Sequence, residues 1–501
     1  LYWIGQVTIT GWIAFCLYTA LLWPLLVIAV RFCISRKVPL FIAAAVLITG
    51  SEQLQGLFLG GFYWRHLCHS QYQNLTLIQL ADITGAAGIS FIIAAVNGLI
   101  AETILTVYKR RRIFQVSWMV RYALTAAVIF TVLIYGRIRI EQTRKALSTG
   151  PLIASVQTSI PQSVKDSGSI ETDKLILDKI LNLSTEASGC NPALIIWPET
   201  MVPGVVNNET LQYLSAPNTH KTIDRKIRDH AKKNGYILAG ATAVIPRILP
   251  DGKIEAGSKY NSAFLYKPDG KKYEKHYNKI HLVPFGETIP FSKSLPAIHS
   301  FLMRFSPYDY DYTLMPGSEY TIFEITPENH SQKVFRFGVM ICYEDTIPDI
   351  ARGFILNKRA LKPHWLVNIS NDGWFVKATG EKPEPENLKA SSELAQHASI
   401  CTFRAVENRI SIVRSVNTGI SCLIDPTGKI HNGYHDGSLT PDSLARSAEE
   451  GWFADYVPLC SKVTFFTKYG QITGISCKIL FLIVLFTAAL NFRGLSKGLL
   501  S

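Results

Sequence analysis

Twenty consecutive residues near the start of the chain, Gly11 to Val30 (GWIAFCLYTALLWPLLVIAV), carry no charge. A helix of that length crosses the hydrocarbon core of a bilayer, about 30 Å. Further apolar runs cover 38–50, continuing to about residue 60 with an interruption at Glu52, and 83–101. Tyr122–Gly136 is shorter and bounded by Arg121 and Arg137, whose stems can snorkel. Near the end, Ile479–Phe492 is a fifth run, extended upstream through Gly470. Five spans are predicted, with a buried core helix as the alternative for the shorter runs.

Charge supports the same reading. Only 18% of the 501 residues are charged, against about 25% in an ordinary soluble chain, which argues against a disordered, coiled-coil or cytosolic protein. The net charge of +13 could suggest nucleic acid, but residues 1–150 hold 13 Lys and Arg against 4 Asp and Glu. The basic excess sits in the apolar third, so no nucleic-acid partner is expected. Arg31, Arg36 and Lys37, then Lys109–Arg112, then Arg493 and Lys497 fall on one side of an alternating five-span topology. Basic clusters stay in the cytoplasm, so residues 145–470 are expected on the other side, the periplasm in a bacterium. Arg137, Arg139, Arg144 and Lys145 weigh against this without reversing it. The same count puts residue 1 outside, so a cytoplasmic start requires an odd number of spans before it.

From Pro151 the pattern becomes short β-rich runs alternating with helical stretches. Runs at 152–157, 193–199, 236–244, 261–267, 334–344, 364–370 and 410–416 read as strands, and 170–186, 220–234 and 386–407 as helices. That alternation predicts a layered α/β domain. The polar stretch 430–450 is expected to be an exposed loop. Nine scattered cysteines show neither a disulfide framework nor zinc-ligand spacing, so no metal is expected.

Three strand ends carry chemistry. Glu199 closes Trp197-Pro198-Glu199 after ALII, where a buried carboxylate can act as a general base; taken alone, a helix cap or surface ion pair fits it better. Lys279 lies in YNKIHLVPFGE, ahead of a rigid Val-Pro-Phe-Gly turn that would hold it from solvent, with Glu199 or Glu287 as partner. His281 in the same stretch reads as a structural histidine. Cys342 leaves VMICYED at a strand-to-helix turn, the geometry of a nucleophile elbow, and a nearby lysine would favour its thiolate.

Glu in WPE, Lys in NKIHLVPFGE and Cys in CYE, in that order, resemble the Glu–Lys–Cys pattern of the nitrilase superfamily. With the flanking spans the chain resembles, over nearly its whole length, the apolipoprotein N-acyltransferases of the bacterial inner membrane. SEQLQGLFLGGFYW and ADITGAAGISF within 51–91, Val156-Gln157 with Ile160-Pro161-Gln162-Ser163, NISNDGWF (368–375), RAVENR (404–409) and TGIS (418–421) carry the likeness. Asp166 departs from it, standing where family members often have Trp.

The resemblance implies a multi-span α-helical membrane domain (1–145), an α/β nitrilase-like α-β-β-α sandwich (151–458) and a C-terminal transmembrane helix (470–493), with N-terminal spans of the eight-span family pattern missing. It implies no cofactor. It implies acyl transfer from a phospholipid, through a thioester on Cys342, to the α-amine of a diacylglyceryl-apolipoprotein, with the bilayer as partner. Glu199 would be general base, Lys279 the oxyanion stabiliser and Cys342 the nucleophile, with Glu287, Tyr343 and Glu344 in support. Phe301, Phe305, Tyr308, Tyr310 and Tyr312 are candidates for a lid that excludes water or dips into the bilayer, with an ordinary packed loop as the alternative. The alternative activity is a membrane-tethered amidase with water as acceptor.

Overall fold

The computed structural model describes residues 2–57, 61–109, 116–289, 291, 295–305, 312–327, 333–357, 361–379 and 387–498, and the side chains of all of these but Phe305 and 492–498. Arg110, Arg111, Arg112, Tyr308 and Tyr310, the side chains of Phe305, Arg493 and Lys497, and residues 58–60 of the first matched stretch lie outside this description. The chain divides into two compact units. One comprises Leu1–Gly11, Ala146–Ala405 and Ile410–Ser461; the other comprises Trp12–Lys145, Val406–Arg409 and Lys462–Ser501.

Among the described residues of the helical unit and those leading into it, four helices are long and apolar enough to cross a membrane: Ile9–Ser35, Ala86–Tyr108, Val116–Arg144 and Ile472–Asn491. The predicted second span differs. It is a helix of 16 residues, Leu40–Gln55, about 24 Å long at 1.5 Å per residue. Its small residues are buried: Ala43, Ala44, Ala45 and Gly50. A Cβ on Gly50 would come within 2.4 Å of the Cys477 carbonyl oxygen, and one on Gly98 within 2.8 Å of Ala44 Cβ. Small residues at such crossings let helix backbones approach closely.

The predicted run at 122–136 is also longer than expected, extending over 29 residues. Two of its cations, Arg121 and Arg139, are neutralised by carboxylates. Arg121 pairs with Glu102 at 2.5 Å, and Arg139 with Asp82 at 2.6 Å. Asp82 also takes Tyr135 Oη at 2.6 Å and Arg409 at 2.9 Å, which explains the arginine that ends the RAVENR stretch.

In the α/β unit the strands are β1 (Leu147–Gln157), β2 (Leu194–Ile196), β3 (Val202–Val205), β4 (Ile237–Ile248), β5 (Ile254–Tyr266), β6 (Tyr277–Asn278), β7 (Ile322–Ile325), β8 (Phe335–Ile341), β9 (Trp365–Ser370), β10 (Val376–Ala378), β11 (Leu388–Ala390), β12 (Ser411–Val416), β13 (Cys422–Ile424), β14 (Asp436–Gly437) and β15 (Gly451–Cys460). One sheet runs β14-β15-β1-β2-β4-β5-β6 with β3 beside β4, the other β13-β12-β9-β8-β7, and β10 pairs with β11.

Alternation along β1 explains the layering. Leu152, Ala154 and Val156 face the core formed with helices Ile170–Ser188 and Thr219–Asn234. Ser155, on the opposite face, donates to the Arg414 carbonyl of β12 at 3.0 Å, and Ser415 Oγ lies 3.0 Å from the Val156 and Ile196 carbonyls. The two sheets therefore meet face to face, with helices outside: an α-β-β-α sandwich.

The 430–450 stretch is only in part the exposed loop expected: residues such as His435, Asp436 and Asp442 are exposed, but others turn inward. Leu439, Ser443 and Arg446 are buried. The Arg446 guanidinium donates to the Thr440 and Ser421 carbonyls at 2.7 and 2.8 Å and lies over the Tyr434 and Phe453 rings. One arginine thus organises a polar segment that composition alone makes look solvated.

Candidate active site

Three strand ends converge. Glu199 follows β2 on a segment pressed against β4, where a Cβ on Gly240 would meet the Pro198 oxygen at 2.4 Å. Lys279 follows β6; its backbone N–H donates to the Asn261 carbonyl at 2.8 Å and its own carbonyl accepts from Gly317 at 2.7 Å. Cys342 follows β8 as the first residue of a 3-10 turn to Thr346, at φ +51°. A non-glycine residue held in that left-handed region is a strained position. Asn368 Nδ2 supports the turn by donating to the Cys342 carbonyl at 3.1 Å.

Lys279 is fully buried. Its Nζ lies 2.7 Å from Glu287 Oε2 and 3.5 Å from Glu199 Oε1. Burial works against the ammonium, but Glu287 and Glu199 outweigh it and hold its pKa above the ordinary lysine value. Glu287 is fixed by the Val283 N–H at 2.8 Å across the Val-Pro-Phe-Gly turn, where Phe285 sits at φ +62°. Glu199 Oε1 accepts from Asn261 Nδ2 at 2.6 Å, and Oε2 accepts from the Asn371 N–H at 2.7 Å. Asn261 Nδ2 also reaches Glu287 Oε1 at 2.8 Å. One amide thus holds both carboxylates that flank the lysine.

The Cys342 thiol is pushed well above its usual range, first by burial and then by Glu199, with Lys279 only partly offsetting them. Lys279 acts in the expected direction, favouring the thiolate, but burial and Glu199 outweigh it. The sulfur rests protonated, beside a carboxylate that can take its proton.

Glu344 is fully buried and accepts from Tyr277 Oη at 2.8 Å and from the Ile280, His281 and Ile341 N–H groups at 2.6, 3.0 and 2.7 Å. Burial outweighs these donors and holds its pKa up to about 7. Tyr343 is buried, its ring stacked 5.9 Å from His281. All six sequence-predicted residues therefore fall in one neighbourhood of the α/β unit. Of the aromatic lid candidates, Phe301 is exposed and Tyr312 Oη donates to the Phe285 carbonyl at 2.6 Å. Asp166, the departure from the family pattern, is exposed and accepts from Gln162. Its neighbour Lys165 donates to Thr200 Oγ1 at 3.0 Å, and burial lowers its pKa to about 8.

Sequence reading missed Asn261 and Asn371 as site residues. The second lay inside a quoted stretch, NISNDGWF, but its contribution is a backbone N–H, which no side-chain pattern announces. Sequence spacing also missed, among the described residues, two groups whose ligand-type atoms converge within 4.8 Å: His66, Cys68 and His69, and Asp372, Glu393 and His397. In the second, His397 and Arg414 face Asp345 and Asp372, so cations already oppose the carboxylates.

Residues 152–440 match the carbon-nitrogen hydrolase family, and residues 1–99 match the apolipoprotein N-acyltransferase N-terminal domain. An apolipoprotein N-acyltransferase of Geobacter metallireducens is 29% identical over 447 residues, 88% of this chain and 73% of that protein. One of Rhodopseudomonas palustris is 28% identical over 405 residues, 78% of this chain and 64% of that protein. Among solved structures, an amidase of the nitrilase superfamily from Nesterenkonia AN1 aligns at 16% identity and a TM-score of 0.36, covering 62% of this chain and 91% of that one. The matched domain takes in more than half of the chain, which belongs to the carbon-nitrogen hydrolase family and is similar along most of its length to apolipoprotein N-acyltransferases.

Proposed function

We propose that this chain is an N-acyltransferase that moves an acyl chain from a phospholipid, through a thioester on Cys342, to the α-amino group of the N-terminal S-diacylglyceryl-cysteine of apolipoproteins. The observation that carries the reading is the convergence of Glu199, Lys279 and Cys342 at three strand ends, in a chain whose described residues also include four membrane-length helices. Both substrates are lipid-anchored, which gives those helices a purpose.

The resting thiol sets the first step. Glu199 takes its proton as Sγ attacks the ester carbonyl, forming the C–S bond. Lys279 donates to the tetrahedral oxyanion, an interaction of about 3–4 kcal/mol in such sites. The C–O bond breaks, the lysophospholipid leaves with the proton from Glu199, and the acyl group remains on sulfur. The acceptor amine then attacks the thioester, Glu199 takes the amine proton and returns it to the departing thiolate. Splitting one difficult transfer into two easier ones is the purpose of a covalent nucleophile. Glu287 and Asn261 hold Lys279 and Glu199 in place for both halves.

The reading places Arg31, Arg36, Lys37 and Lys109 on the cytoplasmic side of a bacterial inner membrane and the catalytic domain in the periplasm. It takes the domains as 1–145, 151–458 and 470–493.

Incubation with phospholipid alone should leave Cys342 stably acylated by mass spectrometry, and a diacylglyceryl-cysteine peptide with a free amine should discharge it as N-acyl peptide. Cys342→Ala should abolish both. Steady release of fatty acid, unchanged by the peptide, would instead identify an amidase-like hydrolase.

A further inference from the structure

Behind the thiol lies a line of buried polar side chains that the transfer chemistry above leaves unused. β8 and β9 run parallel with Ile341 opposite Ile369, which sets Ser370 level with Cys342. From that position the Ser370 hydroxyl can favour a Cys342 thiolate as a hydrogen-bond donor, while its Oγ donates to Asp372 Oδ1 at 2.6 Å. That same carboxylate oxygen is 3.3 Å from His397 Nδ1, and His397 Nε2 is 2.9 Å from Asp345 Oδ1. Arg414 holds the other Asp345 oxygen, and Glu393 Oε1 stands 3.7 Å from His397 Nδ1. Ser370, Asp372, His397, Asp345, Arg414 and Glu393 are each at most 2% exposed. Asp345 belongs to the turn that Cys342 opens. The line therefore starts and ends on the nucleophile's own turn.

A serine hydroxyl has one proton to give. While the thiol is protonated, that proton belongs to Asp372, and the S–H can donate to Ser370 Oγ. Once the sulfur is an anion, the stronger demand is at sulfur, since hydrogen bonds to charged acceptors are roughly twice as strong as neutral ones. Asp372 can release the serine because His397 still faces it, and His397 stays charged: burial opposes its cation, but Asp345 and Asp372 outweigh burial and raise its pKa to about 10.

We propose that Ser370, backed by Asp372 and His397, is a positioning residue for Cys342, whose hydroxyl turns from Asp372 to the sulfur as Glu199 removes the thiol proton. No bond to the hydroxyl hydrogen breaks; the thiol proton goes to Glu199 and the serine exchanges one acceptor for another. The inference rests on the reading of Cys342 as nucleophile. The groups that set the sulfur's titration are then Glu199, Lys279 and Asp372 by charge and Ser370 by hydrogen bond. Those facing His397 are Asp345, Asp372, Glu393 and Arg414.

The test is the pH dependence of Cys342 alkylation by iodoacetamide in the full chain in detergent, read on the Cys342 peptide by mass spectrometry. Ser370→Ala should move the profile about one unit to higher pH and slow thioester formation about tenfold, with the donor KM unchanged. Ser370→Thr, which keeps the hydroxyl, should restore both, and His397→Gln should move the profile in the same direction by less. A Ser370→Ala profile superimposable on the parent overturns the proposal, as does a shift that Ser370→Thr fails to correct in a chain with parental melting temperature. If Cys342→Ala still transfers acyl groups, it is the nucleophile reading that fails, while the alkylation profile still reports whether Ser370 bonds the sulfur.

Discussion

Glu344 accepts the backbone N–H of Ile280 at 2.6 Å, 64 residues back along the chain. Ile280 adjoins Lys279, and Glu344 stands two residues past Cys342. One buried carboxylate thus sets the lysine-bearing strand end against the cysteine-bearing turn, which neither β6 nor β8 could fix alone.

Glu344→Gln should therefore be nearly as damaging as a change at the triad. The carboxylate meets only donors: Tyr277 Oη and three backbone N–H groups. An amide turns N–H atoms toward some of them, and a buried donor left unmet costs about 1–3 kcal/mol. Thioester formation should fall about 10- to 100-fold without loss of membrane insertion. Turnover within twofold of the parent would show that the clamp is dispensable.

For Lys279, charge and volume can be separated. Lys279→Met keeps much of the packing but removes the donor and leaves Glu199 and Glu287 facing each other without a cation. Turnover should drop at least 100-fold. Lys279→Arg should not rescue it, because a planar guanidinium has a different donor geometry and Lys279 is fully buried. Single-turnover measurement of Cys342 acylation distinguishes lost chemistry from lost binding; parental acylation in Lys279→Met would leave the lysine a structural role only.

What sequence could and could not reveal follows from the kind of contact involved. Strands β2, β8 and β9 were legible because strands buried on both faces read as continuous apolar runs, and β2 and β8 each led into a residue whose chemistry stood out, Glu199 and Cys342. Asn261 was not, because it lies inside a run that reads simply as a strand and matters only once β5 sits beside β6 and opposite Glu199. The length of the Leu40–Gln55 helix was not legible, because composition registers apolarity and not the small residues at which neighbouring helices pack closely. The thiol shows the same limit in energetic terms: the effect of a nearby lysine is legible in sequence and holds in direction, but the larger desolvation cost appears only with the fold.

Asn261→Ala should expose the cost of holding two carboxylates together. The amide donates to both Glu199 and Glu287, so its removal leaves Lys279 as their shared partner. Glu199 should then move, lowering kcat about tenfold or more while KM for phospholipid stays near the parental value. An Asn261→Ala enzyme with parental kcat would mean that the Asn371 N–H and Lys279 suffice to hold the base.

The charge on His397 makes a prediction about stability. Its folded pKa of about 10 stands above the value near 6.5 of an unfolded histidine. A raised pKa contributes stability that is complete below about pH 6.5 and is lost as pH rises through about 10. His397→Gln removes that contribution, so the difference in melting temperature between parent and variant should be largest at pH 6 and shrink toward pH 10. A difference independent of pH across that range would show that His397 is not charged in the folded chain.

Topology is the prediction on which the assignment to lipoprotein maturation depends. Lys37, beside Arg31 and Arg36, is exposed at the end of the Ile9–Ser35 helix, and Asp436 is exposed on the α/β unit. If basic clusters mark the cytoplasmic face, a cysteine at Lys37 should be shielded from a membrane-impermeant maleimide in intact spheroplasts and become reactive only after permeabilisation. One at Asp436 should react at once. The nine native cysteines are intermediate or buried, so labelling is scored as the increment over the parent chain. Immediate labelling at Lys37 with protection at Asp436 would put the Cys342 site in the cytoplasm. A transferase whose acceptor is exported and lipid-modified before acylation could not work from there, and the proposed substrate would have to be abandoned even with the catalytic residues intact.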